Sequence, residues 1–319
     1  MPGSRISIVT PACNAERFLD RTIAGVLGQT VGDWEYVIVD DGSTDGTAAV
    51  VRRHTGDPRV RLVQQANAGA IAARDAGHRA TDPASPYVLF LDADDALEPE
   101  MLATMAAYLD DRPEVGMAFC DASWIDGDDR PITYGSPGTR YVPTRLGVRL
   151  LPEDHPDTPF IALFFWGRVG PSVALLRRSM LEAAGGWDQG QGYYAEDLDL
   201  WLRMALRSSV HFVPRRLVRR RIHGENYGLR ADARAQERRL YRRWLDADWL
   251  APDERRMVRD AWRLRQRRFL PYLWRRWGTD YLRRGELTQA AVCYLRSARR
   301  LATYAAATAR GRLPAGPVW

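Results

Sequence analysis

The sequence predicts an α/β fold on a mainly parallel central sheet, followed by a helical C-terminal extension. Three observations carry that prediction. Short apolar runs alternate with stretches of helical spacing through the first 121 residues, the pattern of repeated βαβ units. The runs are continuously apolar, which suits strands covered on both faces. After residue 231 the strand pattern stops and arginine-rich helical spacing takes over.

In chain order, "RISIVT" reads as a strand. Residues 15–28 follow with Phe18, Leu19, Ile23, Val26 and Leu27 at helical spacing. "WEYVIVD" is a buried strand, and residues 44–54 form a helix with Ser43 or Thr44 as its cap. "VRLVQ" is a third strand, 68–80 an alanine-rich helix and "YVLFLD" a fourth strand. Residues 99–109 are helical with Pro99 near the start, and "VGMAFCD" is a fifth strand. Residues 122–170 read as irregular and rich in Pro and Gly. "VGPSVALLRR" returns to strand, "GGWDQGQGY" is a Gly-rich loop, "AEDLDLWLRMALR" is helical, and "VHFVPRRLVRRRIHG" reads as one or two strands. Farther on, Leu287, Ala290, Ala291, Tyr294, Leu295, Ala298, Leu301, Ala302 and Ala305 share helical spacing. Pro271 is expected to break or kink any helix through "RRFLPYLWRRW".

Composition narrows the class. The 319 residues suffice for one domain of about 200–250 residues plus an appendage. No apolar run reaches the roughly 18 residues of a membrane-crossing helix. The apolar run before Pro11 is too short for a secretory leader. Three scattered cysteines form neither a disulfide framework nor a zinc spacing, so a cytoplasmic setting is expected. Every one of the 46 basic residues is arginine. Residues 1–130 hold 22 acidic residues against 11 Arg, and residues 131–319 hold 18 against 35, so charge separates along the chain.

In an open α/β sheet, ligands bind outside the carboxyl ends of the strands. Four such ends here are polar: "TPACN", "DDGSTD", "QQANAG" and "DADD". Turn preference explains any one of them, but not acidic pairs at two ends of one sheet. No G-x-G-x-x-G follows the first strand and no G-x-x-x-x-G-K-[ST] occurs, so the dinucleotide-oxidoreductase and P-loop fingerprints are missing. Clustered carboxylates raise one another's pKa unless a cation relieves them. "DADD" therefore suits a hard divalent ion that fills its shell with phosphate and water. The competing reading, Asp residues favouring a helix N-terminus, is weakened because the helix starts several residues later.

Four stretches in order, "ISIVTPACNAERFLDRTIAGVLGQT…WEYVIVDDGSTDGT", "NAGAIAARDAG", "YVLFLDADD" and "AEDLDLWLR", resemble the family-2 glycosyltransferases of the GT-A fold. They cover about residues 5–225, two thirds of the chain. The resemblance implies a catalytic domain over 1–231, with a nucleotide-sugar-binding half (1–121) and an acceptor-binding half (122–231), and a basic helical extension over 232–319. It implies that Thr10, Pro11 and Asn14 line the nucleotide pocket. Asp40 and Asp41 accept from base and ribose, and Asn67, Gly69 and Arg74 lie against the nucleotide. Asp92 and Asp94 form the D-x-D, with Asp94 the direct ligand of Mg²⁺ or Mn²⁺ and Asp92 nearer the ribose and a second ligand of the metal; Asp95 shapes the loop. Asp197 is the catalytic base and Glu196 its acceptor-side neighbour. Helix faces repeat at i and i+4, so the two carboxylates point apart. Trp187 and Asp188 match the acceptor-side loop, Trp187 as a sugar-stacking ring or a core residue. Arg221 and His223, in "RRRIHG", match a late segment that reaches the diphosphate or the metal. Two positions depart from the family pattern, Cys13 for an aromatic and Asp75 for Asn.

The implied activity is metal-dependent inverting transfer of a hexosyl or N-acetylhexosaminyl group. The donor is a nucleotide-diphosphate sugar, UDP-linked, and the acceptor hydroxyl belongs to a glycan, a lipid-linked molecule or another compound in bacterial polysaccharide or glycoconjugate synthesis. A non-catalytic nucleotide-sugar-binding scaffold is the alternative; it would lack the D-x-D or the base, and both are present. A nucleotidyltransferase would need a Gly-rich loop after the first strand, and "TPACNAERF" has no Gly. For the extension, three readings stand: packing on the catalytic domain, peripheral contact with the inner face of a membrane, or a homodimer contact. Arginine enrichment alone does not argue for nucleic acid.

Overall fold

The structure is a computed structural model that describes residues 5–132, 160, 163–164, 169–190, 195–224, 233–266, 270–283 and 285–309. They form two compact units. The first holds the described residues through Leu240 except Phe164; the second holds Phe164 and the residues from Tyr241 on.

The first unit is built on an eight-stranded sheet. Its elements are β1 (Ile6–Ala12), α1 (Glu16–Leu27), β2 (Trp34–Asp41), α2 (Thr47–Arg52), β3 (Val60–Gln65), α3 (Ala70–Arg79), β4 (Tyr87–Phe90), β5 (Ala96–Leu97), α4 (Met101–Asp110), β6 (Val115–Ile125), β7 (Ala174–Arg177), α5 (Arg178–Ala183), α6 (Glu196–Ala205) and β8 (Ser209–Arg221). The strand order is β3-β2-β1-β4-β7-β6-β8-β5. Strands β3, β2, β1 and β4 run parallel, as do β6 and β8. β7 is antiparallel to both β4 and β6, and β5 is antiparallel to β8. The sheet is thus mostly parallel, as the alternation predicts. Ile8, Val9, Val37, Val39, Val88 and Leu89 are fully buried, the outcome expected of continuous apolar strands clad on both faces.

Sequence and structure differ at several boundaries. β6 continues to Ile125, because it pairs with β8 as far as Arg221 through bulges near Asp121. The irregular stretch expected from residue 122 therefore starts later, and from 133 to 159 it lies outside the described residues. "VGPSVALLRR" divides into a short 3-10 turn, Pro171–Val173, and a four-residue strand.

In the second unit, α7 (Ala233–Leu245) crosses the boundary and is followed by α8 (Pro252–Leu264), α9 (Leu270–Arg283) and α10 (Leu287–Ala309). Pro252 opens α8, where its missing N–H costs nothing, and the Glu254 carboxylate accepts from the Ala251 amide at 2.8 Å. Tyr241 lies between Phe164 and Trp262, with centroids 4.9 and 5.3 Å away, and Arg265 lies 4.4 Å from its ring. The part of "RRFLPYLWRRW" just before Leu270, residues 267–269, lies outside the described residues, and Pro271 opens the described helix rather than interrupting it. It falls in the first turn of α9, the place in a helix that tolerates it. No described helix is long and apolar enough to cross a membrane.

Candidate active site

The order β3-β2-β1-β4 places a switch of direction between β1 and β4, so their carboxyl ends open a crevice there. The loops after β1, β2, β3 and β4 converge on it. Asn14, held at φ 52, accepts from the Thr44 amide at 2.9 Å while its own amide donates to Ser43 Oγ at 3.0 Å, which joins the first two loops. Gly42 (φ +69) brings the second loop against the third. A Cβ there would lie 2.7 Å from the Asn67 amide, and the conformation disfavours any L side chain.

Asp40 and Asp41 serve these loops directly. Asp40 accepts from the Ser43 amide (3.1 Å) and Gln64 Nε2 (3.0 Å). Asp41, only 2% exposed, accepts from Gln65 Nε2 (2.7 Å) and from the amides of Ala68 and Gly69 (both 2.8 Å). Asn67 Nδ2 donates to the Asp41 carbonyl at 2.9 Å. The Asp41 carboxylate thus shapes the turn that carries Asn67 and Gly69. Thr10 departs from its expected role: the whole residue is buried, and its hydroxyl pairs with Tyr36 OH at 2.8 Å, inside the sheet rather than in the crevice. Pro11 is half-buried and Asn67 exposed.

The loop after β4 is held from three sides. Asp92 N donates to Ser172 Oγ (3.1 Å), Thr22 Oγ1 to the Ala93 carbonyl (2.8 Å), and Arg221 Nε to the Asp94 carbonyl (2.9 Å). Arg221 was expected at the diphosphate; the structure gives it a different task. Its buried guanidinium also donates to the Asp126 carbonyl (2.9 Å) and Asp129 Oδ1 (2.6 Å) and lies 4.9 Å from the Phe18 ring centroid. Its backbone N–H donates to Asp95 Oδ1 at 3.0 Å. Asp95 is buried, and that burial, with Asp94 and Asp92 nearby and Arg220 opposing, pushes its carboxyl up to about 7.

Asp94 Oδ2 and His223 Nε2 lie 2.9 Å apart. Neighbouring donors on a six-coordinate ion with bonds of about 2.1 Å stand roughly 3 Å apart, so this pair fits two adjacent positions of one cation. A carboxylate with an imidazole suits Mn²⁺ at least as well as Mg²⁺. Among the described residues no three His, Cys, Asp or Glu side chains form a ready cage. A cation here would complete its shell with diphosphate and water oxygens, the usual habit of such ions. Asp92 was expected as a second ligand, but its Oδ1 accepts from Arg74 Nη2 at 2.9 Å.

Arg74 organises the far side. Its Nη1 donates to Glu196 Oε1, also at 2.9 Å, so one buried guanidinium joins the D-x-D loop to the first turn of α6. Burial works against its charge, but Asp92 and Glu196 outweigh that, and its pKa is raised. Glu196 therefore faces Arg74, correcting the acceptor-side expectation. Trp187, expected as a sugar-stacking ring or a core residue, has the surroundings of the core. It is 6% exposed, edge-on to Phe90 at 5.0 Å, and its ring centroid lies 4.8 Å from the Arg74 guanidinium carbon. Asp188 Oδ1 closes its own turn by accepting from the Gly190 amide at 2.8 Å. Asp197 is half-buried, and its Oδ1 accepts from the Leu198 amide at 2.7 Å. Burial first, then Glu196, pushes its carboxyl up to about 7, with Arg74 restraining the rise. That is the range of a working general base.

One residue escaped the sequence reading. Arg220 Nε stands 3.6 Å from Asp95 Oδ2, and its guanidinium fills the space left by Gly170, where a Cβ would lie 2.9 Å from Arg220 Cζ. Burial opposes its charge, yet Asp95, Asp92, Asp94 and Asp197 together raise its pKa. Strand alternation separates it from Arg221. The signal was present in "RRRIHG", but the phase of the strand was not.

A family model described as Glycosyl transferase family 2 matches residues 7–168, just over half of the chain. An uncharacterized protein of Mycobacterium tuberculosis is 29% identical over 275 residues, 81% of this chain and 80% of its own length. The putative teichuronic acid biosynthesis glycosyltransferase TuaG of Bacillus subtilis is 33% identical over 130 residues, 40% of this chain; the match spans only 50% of that relative's length. Among solved structures, S. aureus TarS in complex with UDP-GlcNAc superposes with a TM-score of 0.61 at 15% identity, over 91% of this chain and 90% of its own. The mannosyltransferase PcManGT of Pyrobaculum calidifontis, in complex with GDP-Man and Mn²⁺, gives 0.59 at 20%, over 98% and 81%. At these identities the two structures speak to fold alone.

Proposed function

This chain belongs to glycosyl transferase family 2, and from that premise we propose a metal-dependent, inverting transfer of a sugar from a UDP-linked donor to an acceptor hydroxyl. The observation that carries this reading is the Asp92–Arg74–Glu196 bridge, which holds Asp197 beside the D-x-D loop although they are a hundred residues apart in sequence. Asn14, Asn67 and the loop shaped by Asp40 and Asp41 border the nucleotide. Asp94 and His223 would hold a divalent cation, which would supply positive charge against the departing diphosphate. Arg220 adds a fixed positive charge on that side. Asp197 takes the proton of the acceptor hydroxyl. The freed oxygen bonds to the anomeric carbon as the bond to diphosphate breaks on the opposite face, so the centre inverts.

Structures of similar fold hold UDP-GlcNAc, or GDP-Man with Mn²⁺, which supports a nucleotide-sugar donor. TuaG is named for teichuronic acid biosynthesis, which supports an acceptor in bacterial polysaccharide or glycoconjugate synthesis; we propose that the reaction takes place in the cytoplasm, at the inner face of the membrane. For the C-terminal helices we propose a contact role, to a membrane surface or to a second copy.

A panel of nucleotide sugars with and without Mn²⁺, read by donor hydrolysis and thermal stabilisation, tests the reading. Asp197→Asn should lower kcat by about 10³-fold or more while the donor still stabilises the protein. EDTA should stop turnover, and Mn²⁺ should restore it. Full activity in chelator refutes the cation's role, and donor binding with no turnover toward any acceptor favours the scaffold.

A further inference from the structure

Helices α9 and α10 form an antiparallel hairpin about the turn at Gly285 (φ +77). Inside it, the Tyr294 ring packs on Gly278, and Tyr294 OH lies 2.8 Å from Thr279 Oγ1. Among the described side chains of α10, the buried ones are Ala290, Cys293 and Ser297. Its large aliphatic residues face outward, with Leu287 67% and Leu295 70% exposed, Val292 41%, and Leu282 at the end of α9 51%. Leu287, Ala291, Leu295, Ala298 and Ala302 follow at spacings of three and four, so they line one strip of the helix. A core-facing helix would place leucine inside and alanine outside. In α10 both leucines among the described side chains, Leu287 and Leu295, lie outside.

A contiguous exposed apolar strip marks an interaction surface. The charge beside it selects the partner. Residues 270–309 contain seven Arg and two acidic residues, and Arg275, Arg283, Arg296 and Arg299 are exposed. Two such faces brought together as a dimer would repel, whereas an anionic bilayer satisfies both halves of the pattern: leucines enter the acyl boundary and arginines meet phosphate. We propose that the α9–α10 hairpin is a membrane-docking element, with Leu282, Leu287, Val292 and Leu295 as its inserting strip and an anionic lipid surface as its partner. It commits the contact role proposed above to one partner, and it stands apart from the transferase chemistry.

Co-sedimentation of the full chain with phosphatidylcholine vesicles, with and without phosphatidylglycerol, tests it. Pelleting should require the anionic lipid and weaken as salt rises. Leu287→Glu with Leu295→Glu should reduce pelleting at least tenfold, with thermal midpoint and transfer to a soluble acceptor unchanged. Arg296→Gln with Arg299→Gln should give a smaller loss that high salt mimics. Equal pelleting of the double Glu variant, or none of the native chain, overturns the assignment. So does a concentration-dependent dimer in sedimentation velocity that the Glu variant dissolves, which would make a second copy the partner. Loss of turnover in Asp197→Asn with vesicle binding intact separates failure of the transferase reading from failure of this one.

Discussion

Asp197 occupies the first turn of α6, where the helix dipole favours a carboxylate, yet burial and Glu196 push its pKa up to about 7. A base of that strength is protonated on the acid side of neutrality. The expected pH profile therefore shows kcat falling as pH drops below about 7, measured at saturating donor and cation. Asp95 has the same elevation from its burial beside Asp94. Both exceed the roughly 3.9 of an unfolded Asp, so between about pH 4 and 7 the folded chain binds more protons than the unfolded chain. Their combined effect is stability that declines as pH rises through that window. The carboxylates with depressed pKa, such as Asp57 beside Arg59, act in the opposite direction but below about pH 4. Inside the window the half-buried His78, whose pKa is lowered by desolvation and then by Arg178, opposes the two aspartates as one group against two. In metal-free protein the urea midpoint should be higher near pH 5.5 than near pH 8, and Mn²⁺ should recover part of the loss at the higher pH. A midpoint that rises with pH over this range would contradict the buried-carboxylate account.

At the scale of elements, Arg74 links α3, the loop after β4 and α6. Arg74→Ala leaves Asp92 and Glu196 without their shared donor, at an expected cost of about 2–3 kcal/mol, discounted from a fully buried pair because both carboxylates keep some solvent contact. It also removes a charge that restrains Asp197, so the acid limb of the kcat profile should move to higher pH. Arg74→Lys should restore the limb better than the stability, since an ammonium cannot reproduce the planar fork that reaches two carboxylates. If Arg74 only filled space, the pH profile would stay in place. The β6–β8 pair sets the other wall. Its bulges near Asp121 fix which face of β8 carries Arg220 and which carries Arg221, and that phase decides which arginine meets the carboxylates.

For the whole molecule, donor and cation together should raise the unfolding transition of the unit that holds the site. A ligand at a hundred times its Kd adds about 2.7 kcal/mol. Differential scanning calorimetry with UDP and Mn²⁺ checks this, and an unchanged transition at saturating concentrations would place the nucleotide elsewhere. The acidic residues of the first 130 positions supply the carboxylates of the site, and arginines of β8 and α3 balance them. Among the described residues beyond 231, arginines such as Arg275, Arg283, Arg296 and Arg299 lie on helices.

The sequence by itself determined the sheet class, the strands β1 to β4 and their polar ends, and the family, because continuous apolar runs, helical spacing and short ordered motifs are local properties of the chain. "DADD" and "EDLDLW" were legible as chemistry for the same reason. Only the tertiary structure decided what each side chain meets. Thr10 pairs with Tyr36, Trp187 packs against Phe90, Glu196 turns to Arg74, and Arg221 braces a loop while Arg220 faces the carboxylates. Those partners lie far apart in sequence. A bulge of one residue reverses which face a strand residue occupies, and the choice between a buried role and a ligand-facing one depends on that face.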